Sequence, residues 1–206
     1  MKLVPYLQSR LASFALICLS TLTLALTPAA YADTVTVSGV KLDDTVQIGS
    51  QTLKLNGAGV RYKVFFKVYV AALYLPEEKN TTPEVLALPG AKRVTLVMMR
   101  ELSNDDLGQR FMDGLRNNLD MDERSKLIKP MITFGKMFSL VPVLKKGDIL
   151  TFDWIPGTGV VCQFNGQKIG ETINDPAFYN AVLRIWIGKD PADDALKLKM
   201  LNAKAG

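Results

Sequence analysis

From Val35 onward, hydrophobic and polar positions alternate in short runs and later give way to a rhythm of about four residues. VTVSGVKL and VQIGSQTLKL alternate with a period of two and are broken by Gly and Asp, which predicts strands joined by turns. The stretch LNGAGVRYKVFFKVYVAALYL, Leu55 to Leu75, reads as one further strand, and Pro89-Gly90 marks a turn before another at Arg93 to Met99. Neighbouring strands of this kind are expected to pair antiparallel. Ser103 is placed to cap a helix with Asp106 three positions on, and Leu107, Phe111, Leu115 and Leu119 recur on one face of it. ERSKLIKPMITFGKMFSLVPVL has helical spacing too, but Pro130, Gly135 and Pro142 interrupt it, which predicts two short helices or a kinked one. After the turn KKGD come the strands ILTFDWI and VVCQF, the hairpin signal Asn165-Gly166, and QKIGETI. Asn174 or Asp175 can cap FYNAVLRIWI, with Pro176 in its first turn and Gly188 as its stop, and PADDALKLKML closes the chain. Strands, helices, a hairpin and more helices, without regular βαβ alternation, indicate an α+β fold. An antiparallel sheet covered on one face by helices satisfies that order.

The first 32 residues follow another logic. Lys2 and Arg10 precede the apolar run Leu11 to Leu26, and Ala30-Tyr31-Ala32 has the small-x-small form that signal peptidase cuts. This reads as a cleaved secretory signal, so the protein is expected to be exported, and periplasmic in a two-membrane bacterium. The apolar run is shorter than the roughly 20 residues of a membrane span, and no later run is long and uncharged enough. Ile17 before Cys18 argues against lipoprotein processing, which wants a small residue there. One domain, 33–206, is expected to remain.

Composition removes whole reaction classes. The chain has no histidine and two cysteines, of which Cys18 belongs to the leader. Catalytic triads with histidine, zinc sites built on His or several Cys, and an internal disulfide are therefore excluded from the mature domain. Cys162, in VVCQF, reads as a buried, inert thiol. The formal net charge is +5, partly carried by the leader, and no block of like charges suggests nucleic acid. No cofactor and no metal are expected. Asp105-Asp106 and Asp193-Asp194 stand at helix starts, where acids meet the helix dipole.

The apolar stretch 55–75 nevertheless holds three cations. If the strand runs unbroken, parity puts Arg61, Lys63, Lys67 and Tyr69 on one face and Val60, Tyr62, Val64, Phe66 and Val68 on the other. Lysines on such a face can simply be solvated. Arg61 follows Gly57-Ala58-Gly59, where missing side chains permit a close approach, and its guanidinium suits a carboxylate or an oxyanion.

NGAGVR, KVYVAALYL, KRVTLVMM, KKGDILTFDWIPGTG, NGQKIGETI and AVLRIWIGKDP, in this order, resemble the bacterial branch of the chalcone isomerase-like family over about residues 37–201. The resemblance implies an open-faced β-sandwich, a large antiparallel sheet backed by a layer of helices with a ligand cleft between them. It also implies one of two uses for an arginine: holding the oxyanion while a chalcone cyclises, or holding a fatty-acid carboxylate without catalysis. Arg61 matches the family arginine, Tyr69 falls at the catalytic threonine, and Arg110 at a lysine. Leu107 and Gly114 stand where the catalytic tyrosine and asparagine belong. With those donors replaced, the expected function is an exported binder of a small amphipathic anion, fatty-acid-like, using Arg61, Tyr69, Lys67 and Arg110. The alternative is a chalcone isomerase-type intramolecular lyase with Arg61 and Tyr69 as its catalytic pair. A third reading, a partner docked on FYNAVLRIWI, requires that helix to be exposed.

Overall fold

The computed structural model describes residues 33–203; the leader and its cleavage motif lie outside the described residues. Strands β1 (Thr34–Val37) and β2 (Val40–Asp43) form a separate hairpin. Seven more pair antiparallel in chain order: β3 (Thr45–Ile48), β4 (Gln51–Lys63), β5 (Phe66–Leu75), β6 (Lys92–Met98), β7 (Ile149–Ile155), β8 (Gly159–Phe164) and β9 (Gln167–Ile173). The helices are α1 (Thr82–Ala87), α2 (Asn104–Asn118), α3 (Met121–Phe138), α4 (Pro176–Ile187) and α5 (Asp194–Met200). This is the α+β architecture that the alternation of patterns predicts.

Alternation along β5 sends residues into two cores. Tyr69, Ala71, Leu73 and Leu75 pack with Leu96, Phe152 and the helices, while Val70, Ala72 and Tyr74 pack with Leu42, Ile48 and Leu53 on the opposite face. The second face is thus partly covered as well, by the β1–β2 hairpin: the Tyr74 hydroxyl donates to the Asp43 carbonyl at 3.0 Å.

Two expectations need correction. The stretch 55–75 is not one strand; it folds back at Val64-Phe65, so that Lys63 faces Phe66 across β4 and β5. And α3 runs unbroken through Pro130. Asp120 and Glu123 close a capping box at its start, and Leu127, Met131, Phe134, Met137 and Phe138 bury one face. A proline inside a helix costs about 3 kcal/mol, whereas each large apolar side chain buried returns about 1.5–3 kcal/mol, so the buried face outweighs the break. Pro142 lies beyond the helix end. The ends of α2 and α4 fall at Ser103 and Asp175, whose side chains accept the predicted capping bonds. Helix α4 buries Phe178, Tyr179, Val182, Leu183, Ile185 and Trp186, so it belongs to the core and offers no docking face.

Candidate functional site

The β4–β5 hairpin sets the site. Its register pairs Arg61 with Tyr69, then Tyr62 with Lys67, leaving Val68 as an extra residue, a β-bulge. Directly opposed residues share a face, so Arg61 and Tyr69 point together toward the helix layer. The bulge reverses the parity read from the sequence: Lys67 goes with Tyr62 to the other face, where its Nζ donates to Ser38 Oγ at 2.6 Å. Lys67 is therefore not brought to Arg61. Lys63 is.

Arg61 is half-buried. Its Nε donates to the Ala192 carbonyl at 3.4 Å, and its guanidinium carbon lies 5.4 Å from the centroid of the Tyr69 ring, a cation–π contact. Tyr69 lies beneath Arg61 and lines neither of the hollows beside it. It is 1% exposed, and its hydroxyl accepts a hydrogen bond from Trp186 Nε1 at 3.0 Å. Burial raises its pKa, although the Arg61 charge pulls the other way, so the phenol stays protonated at neutral pH.

Two hollows open beside Arg61. One, of about 180 Å³, lies between Arg61, Lys63, Arg100 and Arg110, with Val68 and Leu102 as apolar wall. Its acid, Asp106, is engaged with the Ser103 hydroxyl at 2.8 Å. The other, of about 170 Å³, is lined by Arg61, Arg110, Gly114 and Ile185 and by two acids, Asp113 and Asp190, the latter accepting from Asn117. Arg61 and Arg110 reach both. The ion pairs among the described residues are Lys79–Glu77, Arg93–Asp153, Arg116–Asp113 and Arg184–Glu123, so none of these four cations is in a direct ion pair, although Asp106 lines the first hollow, Asp113 and Asp190 line the second, and the Arg110 charge acts on Asp113. Like charges gathered at one surface repel, and an anion between them relieves that repulsion. Lys63 and Arg100 join the site through the hairpin and through the end of β6. Sequence spacing gave no sign of Arg100, because its approach depends on the β5–β6 register.

Of the replaced positions, Leu107 is fully buried in the core, and Gly114 lines the second hollow with Ile185 close by, a Cβ there lying 3.1 Å from Ile185 Cγ2. Behind Arg61, Phe111, Phe134, Phe138, Phe152 and Trp186 fill the space between sheet and helices, with ring centroids from 5.1 to 6.1 Å apart. The hollows sit at the rim of this layer and do not open into it. The glycines before Arg61 serve a different approach: a Cβ on Gly57 would meet the Lys199 carbonyl oxygen at 2.1 Å, so α5 crosses there. Cys162 is buried, and burial raises its thiol pKa, which keeps it unreactive. Asp193 caps α5 and also accepts from the Tyr62 amide at 3.0 Å.

A family model described as chalcone isomerase-like matches residues 34–202. Among solved structures, the crystal structure of an Arabidopsis thaliana fatty-acid binding protein has a TM-score of 0.65 and 15% identity, covering 82% of this chain and 96% of that one. At that identity the likeness shows the shared fold. Among curated proteins, no sequence matches.

Proposed function

We propose, since the chain belongs to the chalcone isomerase-like family, that it binds a small amphipathic anion of the fatty-acid type and does not transform it. The carrying observation is that Arg61 and Arg110, outside every ion pair among the described residues, converge on the same two hollows. Two guanidiniums present forked donors to one carboxylate, the geometry in which charge-assisted bonds are strongest. Val68 and Leu102 offer the first apolar contacts for the tail, which leaves across the rim because the interior is packed with aromatic rings. The fold is shared with a protein described as fatty-acid binding. Leu107 and Gly114 supply no donor to a ketone, and Tyr69 lies under Arg61 with its oxygen already accepting from Trp186. Residues 1–32 would deliver the domain across a membrane before being removed.

Native mass spectrometry of gently purified protein, followed by titration with medium- and long-chain fatty acids, tests this. A co-purifying lipid anion and micromolar binding are expected, with Arg61→Ala or Arg110→Ala weakening it about tenfold or more and the fold intact. No bound lipid and no micromolar binding, or unchanged affinity in the double variant, overturns the reading. Chalcone absorbance should decay at the buffer rate; a faster decay abolished by Arg61→Ala establishes an isomerase in its place.

A further inference from the structure

The turn of the β4–β5 hairpin carries side chains that the ligand site does not use. Val64 is 76% exposed, Phe65 89% and Phe66 62%. Exposed apolar residues in isolation are ordinary, but three in succession at a projecting tip are not. The backbone there is unusual as well. Val64 has a φ of 57°, in the left-handed region that a β-branched residue rarely adopts. The same chain shows the unstrained solution at the β8–β9 turn, where Asn165 and Gly166 take φ of 49° and 80°. At residues 64–65 an easy turn has given way to a strained one that displays Val and Phe outward.

The register places more apolar surface at this end of the sheet. The Met99 amide donates to the Val68 carbonyl and the Gly147 amide to the Met98 carbonyl, while Leu102 bridges to Leu144. The loop after α3 therefore ends beside the hairpin base, and it exposes Leu140 at 62% and Val143 at 47%. The same segments carry exposed cations: Lys63, Lys67 and Arg100 at the hairpin, and Lys145 and Lys146 in the loop. The Arg100 guanidinium carbon lies 5.3 Å from the Phe66 ring centroid. Against these five cations stand four acids, Glu101, Asp105, Asp106 and Asp148; Asp106 accepts from the Ser103 hydroxyl and Asp148 from the Lys145 amide and Asn165, which leaves their charge in place and the balance positive by one.

We propose that this end of the molecule docks on an anionic phospholipid bilayer, with Val64, Phe65 and Phe66 entering the interface and the flanking Lys and Arg meeting lipid phosphates. The choice of a bilayer over a protein follows from shape and charge. An interfacial anchor needs a narrow apolar wedge with basic flanks, which a hairpin tip of Val64, Phe65 and Phe66 beside Lys63, Lys67 and Arg100 supplies. Docking shares Lys63 and Arg100 with one hollow, but its apolar wedge is separate from the fatty-acid reading, because none of Val64, Phe65 or Phe66 lines either hollow.

Protein made from the full reading frame, with its N terminus established by mass, is sedimented with phosphatidylcholine vesicles with and without about 30 mol % phosphatidylglycerol. Wild-type protein should pellet several-fold more with the anionic vesicles. Phe65→Asp, at a fully solvated position, should melt like wild type and lose about tenfold in partitioning. Lys67→Glu should remove much of the preference for anionic lipid. Equal pelleting of wild type and Phe65→Asp, or no preference for anionic vesicles, overturns the proposal. So does sedimentation velocity in which wild type self-associates and Phe65→Asp is monomeric, because the tip then covers a second copy of the chain.

Discussion

Asp153 on β7 is 1% exposed and lies directly across from Arg93 on β6. Arg93 Nε and Nη2 donate to its two carboxylate oxygens, each at 2.6 Å. Burial nonetheless holds the carboxyl above the usual carboxylate range, with Arg93 pulling it back down. A carboxyl whose pKa is higher folded than unfolded keeps its proton longer in the fold. Its contribution to stability is greatest below the unfolded value, about pH 4, and shrinks as pH rises through the folded value. Arg93→Met removes the opposing charge and raises the folded pKa further. The variant should be about 3 kcal/mol less stable than wild type near neutral pH, where a buried charge is left unpaired, and the deficit should narrow as pH falls toward about 4. Urea unfolding at both pH values checks this. A deficit independent of pH, or one that Asp153→Asn leaves unchanged in the Arg93→Met background, contradicts the assignment.

At the scale of elements, α5 is held against β4 through two missing side chains. A Cβ at Gly57 would press on the Lys199 carbonyl oxygen at 2.1 Å and the Met200 carbonyl oxygen at 2.8 Å, and one at Gly59 would meet Lys199 Cβ at 2.8 Å. Just before them, the buried Asn56 amide donates to the Met200 carbonyl at 2.8 Å. Gly57→Ala meets backbone that cannot rotate away. It should cost about 1–3 kcal/mol by overpacking, and expose the C-terminal helix to limited proteolysis before the rest of the domain. An Ala variant that melts with wild type and resists cleavage equally would show that α5 docks elsewhere. The same elements show where sequence signals reach and where they stop. Helix ends at Ser103, Asp175 and Asp193, and the Asn165-Gly166 hairpin, follow local rules that the residue names state directly. The turn at Val64-Phe65 carries no turn residue, so 55–75 reads as one strand until coordinates show the reversal. Arg61 was legible because it follows two glycines and falls on a family motif. Lys67 left the site and Arg100 entered it because a one-residue bulge and the pairing of β5 with β6 are non-local facts, whereas Lys63 shares the face of Arg61 by strand alternation alone.

For the whole molecule, the decisive feature is that one ring joins the layers. Phe111 on α2 lies with its centroid 5.1 to 6.1 Å from those of Phe134 and Phe138 on α3, Phe152 on β7 and Trp186 on α4. Sheet and helices thus share a filled aromatic interior, and the proposed guest is assigned to the rim beside Arg61 and Arg110. If this packing rather than an internal chamber governs binding, a space should have to be made before a wholly apolar guest can enter. Phe111→Ala should cost about 3–5 kcal/mol and leave a dry cavity among the remaining rings. Benzene should then raise the Tm of the variant, since a ligand that binds the folded state alone stabilises it, and should leave the Tm of wild type unchanged. Fatty-acid affinity should fall far less in Phe111→Ala than in Arg61→Ala, because the head is held by the rim and the tail does not enter the core. A benzene-induced rise in wild-type Tm, or loss of fatty-acid binding in Phe111→Ala at a temperature where it remains folded, would place the tail inside the aromatic layer and make the rim an entrance.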